Sequence, residues 1–280
     1  MIVHRRLIAS VLRPAARVLD RVNPGHRVLM YHRVRALSER DQLSVSPQRF
    51  AEQLECLSAR RVVGLDTVLR ELQTGIMDPA VALTFDDGYA DNLTSALPLL
   101  ERHNIPATIF VVTEFCDGAH RHPRYRSEPD VHLNWEQVRH LAAHPLIEIG
   151  SHTVTHPLLA NLDDEAARRE IVDSRRQLED RLDRPVRFFC YPSGNFSVRD
   201  TRLVAAAGYQ GAVTVHPGRN GRGISPFLVN RTEVTDDDRS DDLRAKLDGA
   251  YDLPHTILHW RRLWQFRRLR RRRGLAANSD

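Results

Sequence analysis

Along the chain, short uninterrupted apolar runs alternate with stretches in which apolar residues recur every three or four positions. The runs cover residues 28–31, 81–85, 107–112, 147–150, 186–190, 211–215 and 228–234. Their length and their β-branched and aromatic content predict strands. The periodic stretches predict helices over 65–73, 91–103, 135–143, 163–182 and 198–207. A further helix starts after Ser46-Pro47 and carries Phe50, Leu54 and Leu57, with Ser46 as N-cap and Pro47 in the first turn. Asn134 is a second N-cap candidate, and Gly208 suits a left-handed helix end. Strand–helix alternation without an internal repeat implies one α/β domain with a mostly parallel sheet. About seven strands fit a closed or nearly closed (β/α) barrel, whose chemistry sits where the strands end.

Composition adds limits. The 280 residues are 41% hydrophobic and 28% charged, ordinary for a soluble enzyme. Cys56, Cys116 and Cys190 have no metal-type spacing and read as idle reduced thiols of a cytosolic protein. No run reaches the roughly 18–20 apolar residues of a membrane span. Arginines interrupt the N-terminus, so no secretory leader is read there and a cytoplasmic location is expected.

The net charge of +5 is uneven. Residues 251–280 form a basic segment interleaved with Trp260, Leu263, Trp264 and Phe266. It suits either a packed terminal helix or a peripheral helix on the inner face of an anionic membrane. Nucleic acid is not expected, since charge alone favours it. Residues 1–25, with Leu7, Val11, Leu12, Ala15, Val18 and Leu19 along one side, read as a basic amphipathic helix that could share that surface. The domain proper then spans 26–250.

Two motifs carry chemistry. Leu83-Thr84-Phe85-Asp86-Asp87-Gly88 ends a predicted strand with paired carboxylates. They would serve a divalent cation and a general base, although Asp-Asp-Gly also makes plain turns. Gly150-Ser151-His152-Thr153-Val154-Thr155-His156 ends another strand. Its two imidazoles could face one way if the segment made a helical turn. Together the motifs offer an Asp-His-His set with a spare Asp, which suits hydrolysis by activated water. No nucleophile elbow is present.

These two motifs, in this order and separation, resemble the first two signatures of the polysaccharide deacetylases (NodB homology, carbohydrate esterase family 4), over residues 28–234. The resemblance implies a distorted (β/α) barrel that removes an acetyl group from an amino sugar of a glycan or glycolipid. It also implies Asp86 as base and Asp87, His152 and His156 as ligands of a divalent metal, zinc by default. The third signature is altered. In Cys190-Tyr191-Pro192-Ser193-Gly194, Cys190 stands where the family has an Arg and Ser193 where it has a Tyr. The Ser193 backbone N–H is then the expected oxyanion donor, and Tyr191, Pro192 and Arg231 the substrate contacts, with Arg231 also a substitute for the missing Arg. Tyr31-His32 resembles the branch typified by poly-N-acetylglucosamine deacetylases and makes His32 the expected general acid, ahead of His255 and His216. The loop of residues 117–132, with His120, His122 and His132, reads as a rim without metal ligands. A catalytically inactive sugar-binding or membrane-surface scaffold of the same fold is the alternative.

Overall fold

The computed structural model describes residues 11–18, 22, 24–75, 78–118, 120–125 and 127–252. Most of the expected C-terminal segment, including His255, lies outside the described residues. No helix among them is long and apolar enough to cross a membrane.

Seven strands form one parallel sheet: β1 (Arg27–Tyr31), β4 (Val81–Phe85), β5 (Ala107–Val111), β6 (Ile147–Ser151), β7 (Phe188–Cys190), β8 (Gly211–Val213) and β9 (Thr232–Glu233). Their order is β8-β7-β6-β5-β4-β1-β9. Two short strands, β2 (Arg33–Val34) and β3 (Ser44–Val45), pair apart from it. The predicted strand over 228–234 does two jobs. Its first half bonds to the β8 edge, with Thr214 N–H donating to the Val229 carbonyl (2.8 Å) and Arg231 N–H to that of His216 (2.9 Å). Its second half pairs with β1, Leu29 opposite Thr232. One segment thus bridges both edges of the curled sheet.

Alternation along the strands separates two cores. Leu29, Tyr31, Leu83, Phe85, Ile109, Ile149 and Phe189 point outward to the surrounding helices. Val28, Ala82, Phe110, Phe188, Cys190 and Val213 share the other cluster with Leu65, Val68 and Leu69, from the helix Leu65–Thr74. The interior is tight. A Cβ on Gly150 would lie 2.5 Å from the Phe110 ring, and one on Gly211 2.6 Å from Leu69. Gly150→Ala is therefore expected to cost about 1–3 kcal/mol by overpacking, seen as a lower denaturant midpoint at unchanged slope.

Local signals act as read. Ser46 accepts from Arg49 N–H ahead of the helix Pro47–Glu55, Asn134 and Gln137 form a capping box, and Gly208 takes φ 85°. The helix Ser240–Leu247 was not foreseen; its acidic start, Asp241-Asp242, hides the apolar stripe. The helix expected over 91–103 begins as a π-helical turn, Asn92–Ala96.

Candidate active site

The ends of β4, β6 and β7 and the segment following β1 converge at one mouth. After β4, Asp87 turns the chain at φ 70°, a left-handed conformation that non-glycine residues seldom adopt. Its Oδ1 is buried and has no hydrogen bond among the described residues. It lies 3.4 Å from His152 Nε2 and 3.5 Å from His156 Nε2. Donor atoms around a tetrahedral ion with bonds near 2.0–2.2 Å are spaced by about 3.3–3.6 Å. An orphaned carboxylate oxygen at that spacing from two imidazole nitrogens fits a divalent cation. His152 Nδ1 lies 2.8 Å from the Cys190 carbonyl, which fixes the ring and leaves Nε2 for the ion.

The two histidines do not meet through a helical turn, as the i, i+4 spacing suggested. Residues 152–156 form a loop with Thr153 at φ 71° and His156 at φ 62°. Thr153 Oγ1 accepts from His156 N–H (3.0 Å) and Glu170 accepts from Val154 and Thr155 N–H (2.9 and 3.0 Å), so side chains hold this strained path.

Electrostatics match. Burial would raise Asp87, but His152, His156 and His32 hold it well below the usual carboxylate range. Burial pushes His156 down to about 4. Burial also opposes a charge on His152, yet Cys190, Asp87 and Asp86 together draw it well above the ordinary imidazole value.

Asp86 is held by Arg231, whose Nη1 and Nη2 donate to Asp86 Oδ1 and Oδ2 at 2.6 and 2.7 Å. Arg231 is 1% exposed and also donates to the Thr214 carbonyl, Thr84 Oγ1 and Cys190 Sγ (2.8, 3.1 and 3.1 Å). Burial would raise Asp86; the Arg231 guanidinium outweighs it and keeps the carboxyl below its usual range. Cys190 is thus a sulfur contact of the clamp rather than an idle thiol, and its small side chain leaves space for a guanidinium arriving from the segment before β9. Arg231 thus clamps the Asp86 carboxylate; expected as a substrate contact too, it is too deeply buried for that task.

Tyr191 also departs from expectation. It is fully buried on the outer face, stacked on Phe196 (4.3 Å), with its hydroxyl donating to the Phe227 carbonyl (3.2 Å). Outward alternation after Cys190 turns it away from the mouth, so it is no substrate contact. Pro192 is buried, while Ser193 is exposed and left-handed (φ 53°, ψ 14°). His216 lies beside Phe196 (5.5 Å between ring centres).

His32 is half-buried and stands near Asp86, Asp87 and His122. Residues that sequence reading did not assign hold it. Asn92 Nδ2 donates to the His32 carbonyl (2.8 Å), and Asp91 accepts from Val34 N–H and Arg33 Nε (2.9 and 2.8 Å). The π turn brings Asp91 and Asn92 to this segment, a use of π geometry common at functional sites. The loop histidines also do more than form a rim. His132 Nδ1 lies 3.1 Å from the Asp87 carbonyl, its Nε2 accepts from His122 N–H (3.1 Å), and the His122 ring sits 6.0 Å from that of His156. Only their proximity in sequence to the loop hinted at this. His120 pairs with Glu114 instead.

Residues 76–212 match the polysaccharide deacetylase family. YxkH of Bacillus subtilis (strain 168) is 28% identical over 216 residues, covering 74% of this chain and 71% of that one. The poly-beta-1,6-N-acetyl-D-glucosamine N-deacetylase of Escherichia coli (strain K12) is 34% identical over 92 residues, 30% of this chain and 14% of its relative. The structure of IcaB from Ammonifex degensii is similar at a TM-score of 0.70 and 26% identity, covering 80% and 97% of the two chains. The Streptococcus pyogenes deacetylase PplD shares the fold at a TM-score of 0.71 and 23% identity, covering 80% and 99%. Over residues 76–212, just under half of the chain, the match is thus to a family whose members are amide hydrolases.

Proposed function

We propose that the protein hydrolyses the acetamide of an N-acetylated amino sugar within a glycan, releasing acetate and a free amine. The carrying observation is the orphaned Asp87 oxygen between two imidazoles, with a second, guanidinium-clamped carboxylate beside it. Asp87, His152 and His156 would hold a divalent cation, zinc by its liking for this donor set. A cation there would acidify water and polarise the acyl carbonyl. Asp86, kept ionised and oriented by Arg231, accepts the proton of the attacking water as its oxygen bonds to the carbonyl carbon. The Ser193 backbone N–H donates to the oxygen that gains charge. His32 protonates the departing nitrogen as the C–N bond breaks, so that the products leave neutral at nitrogen. The names of the relatives, chitooligosaccharide deacetylase and poly-beta-1,6-N-acetyl-D-glucosamine N-deacetylase, support N-acetylglucosamine oligomers as the substrate class.

The reading is tested by incubating the zinc-loaded protein with β-1,4- and β-1,6-linked N-acetylglucosamine oligomers. Acetate and free amine should appear in equal amounts from one of them. Oligomers that bind yet return intact would instead favour an inactive sugar-binding protein of the same fold.

A further inference from the structure

Residues 11–18 are helical and are held to the domain by one edge. Arg13 and Arg17 Nε donate to Asp248 Oδ2 at 2.7 and 2.9 Å, and Arg60 Nη2 to Asp248 Oδ1 at 2.7 Å. Val11, Ala15 and Val18 recur at i, i+4 and i+7, on the side opposite Arg13 and Arg17. Val11, Val18 and Val22 are 72%, 57% and 76% exposed, and Ala15 is exposed too. These valines are three of the six large apolar side chains exposed among the described residues. Single exposed apolar residues are unremarkable, but a straight stripe on a pinned helix marks a contact face.

We propose that this stripe docks on a lipid surface carrying anionic headgroups. Charge complementarity carries the choice of occupant. Asp252, just past Asp248, pairs with Arg27 (2.8 Å), so the described chain ends close to where the helix is pinned. The sequence beyond it has eight arginines from Arg261 to Arg273, interleaved with Trp264, Phe266 and Leu269, and no acid before Asp280. Lys246 is the only lysine; the basic charge is guanidinium, which grips phosphate bidentately. A second copy of the chain is disfavoured, because three small side chains fall well short of the ~800 Å² per partner of a stable interface. Soluble phosphate and nucleic acid would leave the apolar stripe unused.

The docking edge also sets an orientation. Arg27 opens β1, and Arg60 precedes the entry at Val62 beside the start of β4, so the helix sits where strands begin. The catalytic mouth lies at the opposite end and would face away from the bilayer, toward glycan extending from it.

Flotation of the full chain with mixed phosphatidylglycerol–phosphatidylcholine vesicles, compared with phosphatidylcholine alone, tests this. The protein should float with the mixed vesicles only, and less at high salt. Val11→Asp/Val18→Asp, on exposed positions, should lower apparent affinity at least about tenfold. Replacing Arg267, Arg268 and Arg270 to Arg273 by Gln should weaken it as well. Both variants should keep wild-type turnover of a soluble oligomer, which separates this proposal from the catalytic one. Wild type that stays unbound, a valine variant that floats like wild type, or a valine variant that only splits a dimer would overturn it.

Discussion

Asp86→Asn is expected to lower turnover by about 10³-fold while the KM and the bound metal stay near wild type. The figure is the mid-range of what a positioned general base contributes. The amide keeps the shape of the carboxylate but cannot take the proton of the attacking water. The metal readout matters because Asp86, His152 and Cys190 also lie close enough together to form a ligand set. Two features argue against that set: Arg231 occupies both Asp86 oxygens, and burial raises the Cys190 thiol. If Asp86→Asn lost its metal along with its activity, Asp86 would be a ligand and the proposed division of labour would fail.

Arg231→Met should be the most destabilising change at the site, by about 3–5 kcal/mol, because it strands the Asp86 carboxylate in a closed interior. Two comparisons separate this from general core damage. Arg231→Met combined with Asp86→Asn should recover part of the loss, since both members of the pair are then gone. Arg231→Lys should keep the charge yet lose the paired grip on Asp86, so its turnover should fall more than its stability. Chemical denaturation of the four proteins would show this pattern. A double variant no more stable than Arg231→Met would contradict the view of Arg231 as the counter-charge of the base.

Much of this was legible in the residues. Apolar runs marked the strands because a parallel sheet is covered on both faces, and Asp86-Asp87 and His152-His156 announced themselves as polar groups at strand ends. Arg231 was readable as a candidate for the missing Arg, but its task depended on ring closure. It meets Asp86 across 145 positions because the segment before β9 bridges both sheet edges. Tyr191 was misassigned because one step of strand alternation separates the interior from the outer face. The loop joining His152 and His156 escaped the helical reading because Thr153 and His156 adopt left-handed conformations that no local propensity favours. Asp91, Asn92, His122 and His132 were silent for a related reason: they act by holding the neighbours of functional groups, through contacts that only the folded chain creates.

Elemental analysis checks the metal centre without recourse to a substrate. Wild type and His152→Ala, purified without chelator, loaded with zinc and freed of excess, should retain about one ion per chain and nearly none, respectively. A wild type that keeps no divalent ion, or a His152→Ala protein that keeps as much as wild type, would contradict the assignment of Asp87, His152 and His156 as its ligands.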